Sequence, residues 1–238
     1  MRSDFLTAEW RNLIMANYIV DPAILKPYLP YKTELDHYNG NTYVSLVGFM
    51  FANTKVVGIK IPFHVNFEEV NLRFYVRYKD NDGWKRGVVF IKEIVPKAAI
   101  SFVANTFYKE KYCRMPMKNS LLNHSDEMQV GYQWKYKGKW NKLEAITESI
   151  AQPLVQGSEE QFISEHYWGY SKFSDNVTNE YEVKHPSWKV YQVKSYSINC
   201  DFEKLYGTSF SFLKTTIPTS VFMAKGSAIS VSNKKVLR

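Results

Sequence analysis

The strongest arrangement for chemistry in this chain lies in residues 69–78. Glu69, Asn71, Arg73 and Arg77 fall on alternate positions, interleaved with Val70, Leu72, Phe74, Val76 and Tyr78. A period of two is the signature of a strand, so a carboxylate, an amide and two guanidinium groups share one face. Glu69 and Arg73 stand about 13 Å apart along such a strand, too far for an ion pair at the backbone level. Each therefore needs a partner across the sheet, a ligand or water. On a face that lines a cavity, Arg73 would hold a carboxylate or similar anion through paired hydrogen bonds, with Glu69 as an acid–base partner. A solvated face laced with cross-strand pairs accounts for the same residues.

Two further groups carry reactive side chains. In residues 86–95, Val88, Phe90 and Ile94 share one face with Lys92, and Val89, Ile91 and Val95 share the other with Glu93. A charge among apolar neighbours costs several kcal/mol unless it is paired or neutralised, so burial shifts its pKa toward the neutral form. A desolvated lysine suits Schiff-base chemistry and a raised carboxyl suits acid–base work. An edge strand, or a snorkelling lysine, explains Lys92 equally. The second group is Tyr108, Lys109, Glu110, Lys111 and Tyr112. At helical spacing Tyr108 and Tyr112 share a face, while the two lysines around Glu110 fit a solvated one. His37, His64, His124, His166 and His185 show no mutual ligand spacing, and adjacent His124, Ser125 and Asp126 cannot form a triad. No phosphate-binding glycine loop and no nucleophile elbow is present.

These groups must be positioned by mostly extended elements. Asp21-Pro22 opens a short helix, with Asp as N-cap and Pro at the first position. Asn39-Gly40 is a hairpin turn signal between residues 34–38 and 42–51. Residues 70–78 and 86–95 form strands around a turn at 81–83. Residues 99–112 are expected to be helical, with Pro116 beyond them. Residues 119–129 form the longest polar stretch and are expected to be a loop. Ser158 and Gln161 make a capping box that opens a helix over 159–170. Residues 187–196 suggest another strand, and 201–206 a short helix closed by Gly207. The regular strand–helix alternation of a parallel α/β fold is missing.

Composition sets the class. The chain has 238 residues, 45% of them hydrophobic and 16% aromatic, enough for a sizeable core and rich in strand-favouring side chains. A single domain over residues 1–238 is expected. The net charge is +8, but the lysines are interspersed with acids and aromatics. Lys135, Lys137, Lys139 and Lys142 alternate as on a strand with one wet face, which argues against a nucleic-acid partner. No stretch approaches the apolar length of a membrane span. The N-terminus lacks the features of a signal peptide, so a cytoplasmic location is expected. Cys113 and Cys200 have no zinc-ligand spacing. Reduced thiols are the default in that compartment, and a pairing between them stays open.

Several long strings carry a family resemblance. They include residues 42–49 (TYVSLVGF), 67–76 (FEEVNLRFYV), 86–90 (RGVVF), 157–162 (GSEEQF) and 165–170 (EHYWGY). Together with Glu9-Trp10-Arg11 and residues 93–96, they resemble the YqjF-like family of uncharacterised proteins over nearly the whole chain. That family is similar in fold to acetoacetate decarboxylase. The resemblance implies an α+β fold, mainly antiparallel β: a curved barrel or double sheet with a few outer helices and a pocket inside. In the decarboxylase a Pro-Lys-Lys string beside the cavity supplies a Schiff-base lysine. The corresponding segment here, residues 108–112, has none, with Lys111 at the place of the proline and Tyr112 at that of the first lysine.

The resulting expectation is a pocket for a small anionic or carbonyl-containing molecule. Glu69 and Glu93 are its candidate catalytic groups, and Arg73, Asn71, Tyr108, Glu110 and Tyr112 its candidate ligand-binding groups. No cofactor and no metal is expected, and assembly with further copies stays open. The alternatives are a Schiff-base lyase using Lys92, Lys109 or Lys111, and an interaction module acting through the basic surface.

Overall fold

A computed structural model describes residues 4–97 and 110–238. The expected helix over 99–112, with Tyr108 and Lys109, therefore falls mostly outside the described residues. Its last residues do not continue a helix, because Tyr112 begins a strand.

Five strands in the first part of the chain carry most of the architecture: β1 (Asp4–Val20), β2 (Thr33–Leu35), β3 (Thr42–Val56), β4 (Phe67–Asp80) and β5 (Gly83–Val95). They are followed by β6 (Tyr112–Arg114), β7 (Met117–Asn123), β8 (Glu127–Tyr136), β9 (Lys139–Glu148) and β10 (Gln152–Pro153). The last six are β11 (Trp168–Ser174), β12 (Val177–Lys184), β13 (Lys189–Tyr191), β14 (Val193–Asn199), β15 (Ser220–Ser232) and β16 (Lys235–Leu237). The described α-helices are short: α1 (Pro22–Leu25), α2 (Glu159–Ser164) and α3 (Phe202–Tyr206). No described helix is long and apolar enough to cross a membrane.

The main sheet runs β15-β1-β3-β4-β5-β11-β12 and curls until β12 meets β15 again, through the pairs Val183↔Val231 and Lys184↔Ser230. The closure is uneven: two residue pairs join β12 to β15, whereas β1 and β3 run side by side from Leu6↔Val56 to Val20↔Thr42. Most neighbours are antiparallel, but β5 pairs in parallel with both β11 and β6. The second sheet, β14-β9-β8-β7, is antiparallel throughout. It packs on the outer face of the main sheet, where Val44, Leu46, Leu72 and Phe74 meet Tyr132, Trp134 and Leu143 in one buried cluster. A second cluster, including Met15, Phe49, Phe67, Tyr75 and Phe162, occupies the other face of the main sheet, inside the curl.

Local chemistry accounts for several elements. The Asp21 side chain accepts from Ala23 N at 2.8 Å and starts α1. Ser158 Oγ accepts from Gln161 N at 3.2 Å and starts α2, while Gln161 Oε1 reaches back to Gly157 N. Asp201 caps α3, and Gly207 at φ 109° ends it in a conformation that only glycine adopts freely.

Other expectations are corrected. The Asn39-Gly40 turn forms, with φ of 49° and 79°. It joins only the single bridge Tyr38↔Asn41, because β2 pairs with β4 rather than β3. Of residues 119–129 only 124–126 form a connection; the rest belong to the β7–β8 hairpin, whose pairs run to Asn123↔Met128. The polar side chains of β7 lie on an exposed strand, so they report its solvation rather than a lack of structure. Helix α2 stops at Ser164, and residues 168–170 belong to β11.

One irregularity decides which side chains face inward. In β4–β5, Leu72 pairs with Lys92 but Arg73 pairs with Phe90, so Ile91 is an extra residue in β5. A bulge of this kind reverses the phase of all that follows. Before it, Val88 and Phe90 face the inner cluster; after it, Glu93 and Val95 do. The uninterrupted alternation expected from the sequence, which put Glu93 opposite Phe90, is corrected by this bulge.

Candidate functional site

Within the curl lies a cavity to which all seven strands of the circuit contribute lining residues. Much of its wall is aromatic, with Trp10, Phe49, Phe51, Phe67, Phe90 and Trp188. Its polar side is built by β4, β5, β6 and β12. Glu69, Asn71 and Arg73 come from the inward phase of β4, and Glu93 from β5 beyond the bulge. Tyr112 lies beside Glu93, because β6 pairs in parallel with β5 in the register Glu93↔Tyr112. Glu110 precedes β6, and Tyr181 comes from β12. The cavity offers about 120 Å³ to the centres of water-sized molecules. One water centre needs roughly 10–15 Å³, so a small organic molecule fits.

The cavity thus brings together Glu69, Asn71, Arg73, Glu93, Glu110 and Tyr112, whereas Tyr108 lies outside the described residues. Arg77, on the same strand face as Arg73, instead reaches the outer rim and pairs with Glu34 at 2.6 Å. Lys92 faces the other side of β5 and donates to the Leu205 carbonyl. Lys111 lies over the Tyr28 ring, 5.1 Å from its centre, against the outer cluster. Neither lysine lines the cavity, and Lys109 is outside the described residues. Cys113 and Cys200 are both free thiols.

Three carboxyl groups share this closed space. Glu69 accepts from Asn71 Nδ2 at 2.8 Å and from the Tyr112 hydroxyl at 3.0 Å. Glu110 accepts from the Tyr181 hydroxyl at 2.7 Å. Glu93 lies within hydrogen-bonding reach of Tyr112, and its Oε2 has no partner. Burial dominates their acidity. It raises Glu69 to about 7, against the opposing pull of Asn71, Tyr112 and Arg73. Burial also raises Glu110 to about 8, opposed by Tyr181 and Lys111. Glu93 is raised further, by burial and then by the charges of Glu110 and Glu69. Near neutral pH the cluster therefore holds protons and acts partly as hydrogen-bond donors. Tyr112 is pushed well above its ordinary value, first by burial and then by Glu69 and Glu93, so it stays a phenol.

Arg73 is the cation of the cavity, and its own needs are poorly met. It is buried, and among the described residues its Nε has no partner and its Nη2 makes only long contacts, to Met15 Sδ at 3.9 Å and the Ile163 carbonyl at 3.4 Å. A buried charge without a close counter-charge costs several kcal/mol. Orphaned polar atoms also concentrate here. Nine buried side-chain nitrogen or oxygen atoms among the described residues lack a partner, and six belong to cavity residues: Trp10, Asn71, Arg73, Glu93, Ser164 and His166. Such atoms are rare in folded proteins, and six of the nine gather around this cavity.

His166, His185, Ser164 and Tyr181 were not among the candidates drawn from spacing. His166 and Ser164 depend on how α2 turns into β11, which local sequence does not specify. The string at 165–170 was the available signal for His166. His185 is stacked flat on Trp188, with ring centres 4.0 Å apart.

Comparison with known proteins agrees with this architecture. The chain is 28% identical over 183 residues to the uncharacterized protein YqjF of Bacillus subtilis (strain 168), covering 75% of this chain and 72% of that one. It superposes on the crystal structure of acetoacetate decarboxylase from Legionella pneumophila with a TM-score of 0.66 at 14% identity, over 98% of this chain and 87% of the other. An acetoacetate decarboxylase-like enzyme from Sphingomonas wittichii RW1 gives 0.67 at 10% identity, over 99% and 94%. The enduracididine biosynthesis enzyme MppR, solved with pyruvate, gives 0.69 at 10% identity, over 100% and 92%. At these identities the solved structures establish a shared fold. The model of the DUF2071 family, an uncharacterized conserved protein, matches residues 7–228, and the chain belongs to that family.

Proposed function

We propose that this chain binds a small carboxylate with an apolar body, held inside the cavity by Arg73. The observation that carries the reading is a buried guanidinium with no carboxylate partner among the described residues, facing space walled by aromatic rings. An anion there supplies the missing counter-charge and paired acceptors. The protonated carboxyls of Glu69 and Glu93 are then the proton partners of the ligand, able to donate to a carbonyl oxygen. A neighbour of the same fold was solved with pyruvate, a small 2-oxo carboxylate, which supports this ligand class. A Schiff-base reaction through Lys92 or Lys111 is disfavoured, since both side chains lie on the outer side of the sheet.

Thermal shift with a panel of monocarboxylates at millimolar concentration tests the reading. Bound carboxylate raises the melting temperature by mass action. Arg73→Met should remove a charge-assisted contact worth about 1.5–3 kcal/mol, and with it tenfold or more in affinity. The proposal fails if no carboxylate stabilises the wild type, or if Arg73→Met responds as the wild type does.

A further inference from the structure

A second polar subsite stands next to Arg73 and narrows the ligand further. His166 is buried and lines the cavity. Its ring centre lies 4.7 Å from that of Tyr75, and the Arg73 guanidinium lies 5.7 Å from the same ring. Its Nε2 is 3.1 Å from Asp36 Oδ2. That oxygen also accepts from Arg86 Nε at 2.6 Å, and Asp36 Oδ1 accepts from His37 N at 3.0 Å. With Asp36 so held as a carboxylate, the ring proton belongs on Nε2, which leaves Nδ1 as a bare acceptor. Burial keeps the ring neutral, lowering its pKa to about 4. Among the described residues no donor meets Nδ1. Two residues earlier, Ser164 Oγ is buried, lines the same cavity and also has no partner.

A bare nitrogen acceptor and a free hydroxyl on one wall call for a group that gives one hydrogen bond and receives another. A hydroxyl does both. A keto oxygen would accept from Ser164 but leave His166 unmet, and a methylene would leave both unmet. We propose that the ligand is a hydroxy carboxylic acid, whose hydroxyl donates to His166 Nδ1 and accepts from Ser164 Oγ while its carboxylate lies on Arg73. Asp36 and Arg86 are positioning residues in this scheme, because they fix the ring and its tautomer without touching the ligand. The inference rests on the carboxylate reading above and adds the group that distinguishes one acid from another.

Titration calorimetry with three matched acids separates the two claims: 2-hydroxyisocaproate, 2-oxoisocaproate and 4-methylvalerate. The hydroxy acid should bind tenfold or more tighter than 4-methylvalerate, with the oxo acid between them, since each buried hydrogen bond contributes about 0.5–1.5 kcal/mol. In Ser164→Ala and in His166→Phe the spread between the acids should shrink. Equal affinity of the three acids for the wild type overturns the hydroxy-acid inference and leaves the carboxylate site standing. A full spread retained in both variants overturns it too. Absence of binding by all three overturns both claims. The wild-type comparison and Ser164→Ala decide the matter even if His166→Phe fails to fold.

Discussion

Binding of a carboxylate to Arg73 should take up a proton, and affinity should fall as pH rises through neutrality. Glu69 is raised to about 7, with the Arg73 charge among the influences that hold it down. A ligand carboxylate placed on Arg73 competes for that charge and adds a negative charge beside Glu69. Both effects favour the protonated carboxyl. If binding requires Glu69 protonated, each pH unit above about 7 costs up to tenfold in affinity, or about 1.4 kcal/mol. Between pH 6 and pH 9 the loss reaches on the order of 100-fold. Glu110, raised to about 8, steepens the upper part of that range. Isothermal titration of 4-methylvalerate across this range gives the affinity. Repeating it at pH 8 in two buffers of different ionisation enthalpy counts the protons taken up, with close to one expected. Glu69→Gln should flatten the profile between pH 6 and pH 8. A constant affinity from pH 6 to pH 9, or binding without proton uptake at pH 8, refutes the coupling between Arg73 and the carboxyl cluster.

The same acidities make unliganded stability fall as pH rises from about 5 to about 8. Glu69 and Glu110 have raised folded pKa values, so their contribution is complete below the unfolded value and lost as pH climbs to about 7 and about 8. His166 acts in the opposite sense, because its pKa is lowered to about 4 and its contribution is lost as pH falls below 6.5. Two or more carboxyls outweigh one imidazole, for a net change of up to about 5 kcal/mol. Urea melts at pH 5 and pH 8 check the sign, and greater stability at pH 8 would contradict it. Gly169→Ala tests how tightly β11 and β12 hold the site, because a Cβ there would collide with the Tyr181 ring. Tyr181 would have to move off Glu110, at about 1–3 kcal/mol. A denaturation midpoint equal to that of the wild type would show that the ring has room to yield.

Much of the wall of this site is legible in the chain. Alternation in residues 69–78 puts Glu69, Asn71 and Arg73 on one face, and packing of Leu72 and Phe74 against the second sheet turns that face inward. Glu93 is legible as a charge in an apolar strand, but its direction is not. The extra residue Ile91 reverses the phase, and nothing in the local pattern marks a bulge there. The polar stretch before β8 was misleading for a related reason. Exposed strands at a sheet edge carry loop-like composition, because both kinds of segment face water.

Period-two strands, turns and family strings are enough to read a mainly antiparallel β fold from the chain. The same alternation separates the polar groups that leave β4 on one side, since side-chain direction follows parity in a strand without a bulge. What those groups mean depends on contacts distant in sequence. Only the curling of the main sheet sets Glu110 beside Tyr181 at a separation of 71 residues, and Asp36 beside His166 at a separation of 130. Only that enclosure removes water from three carboxyls and one guanidinium. The shifts that make the site chemically distinctive arise from desolvation, a property of the closed surface that no single strand possesses.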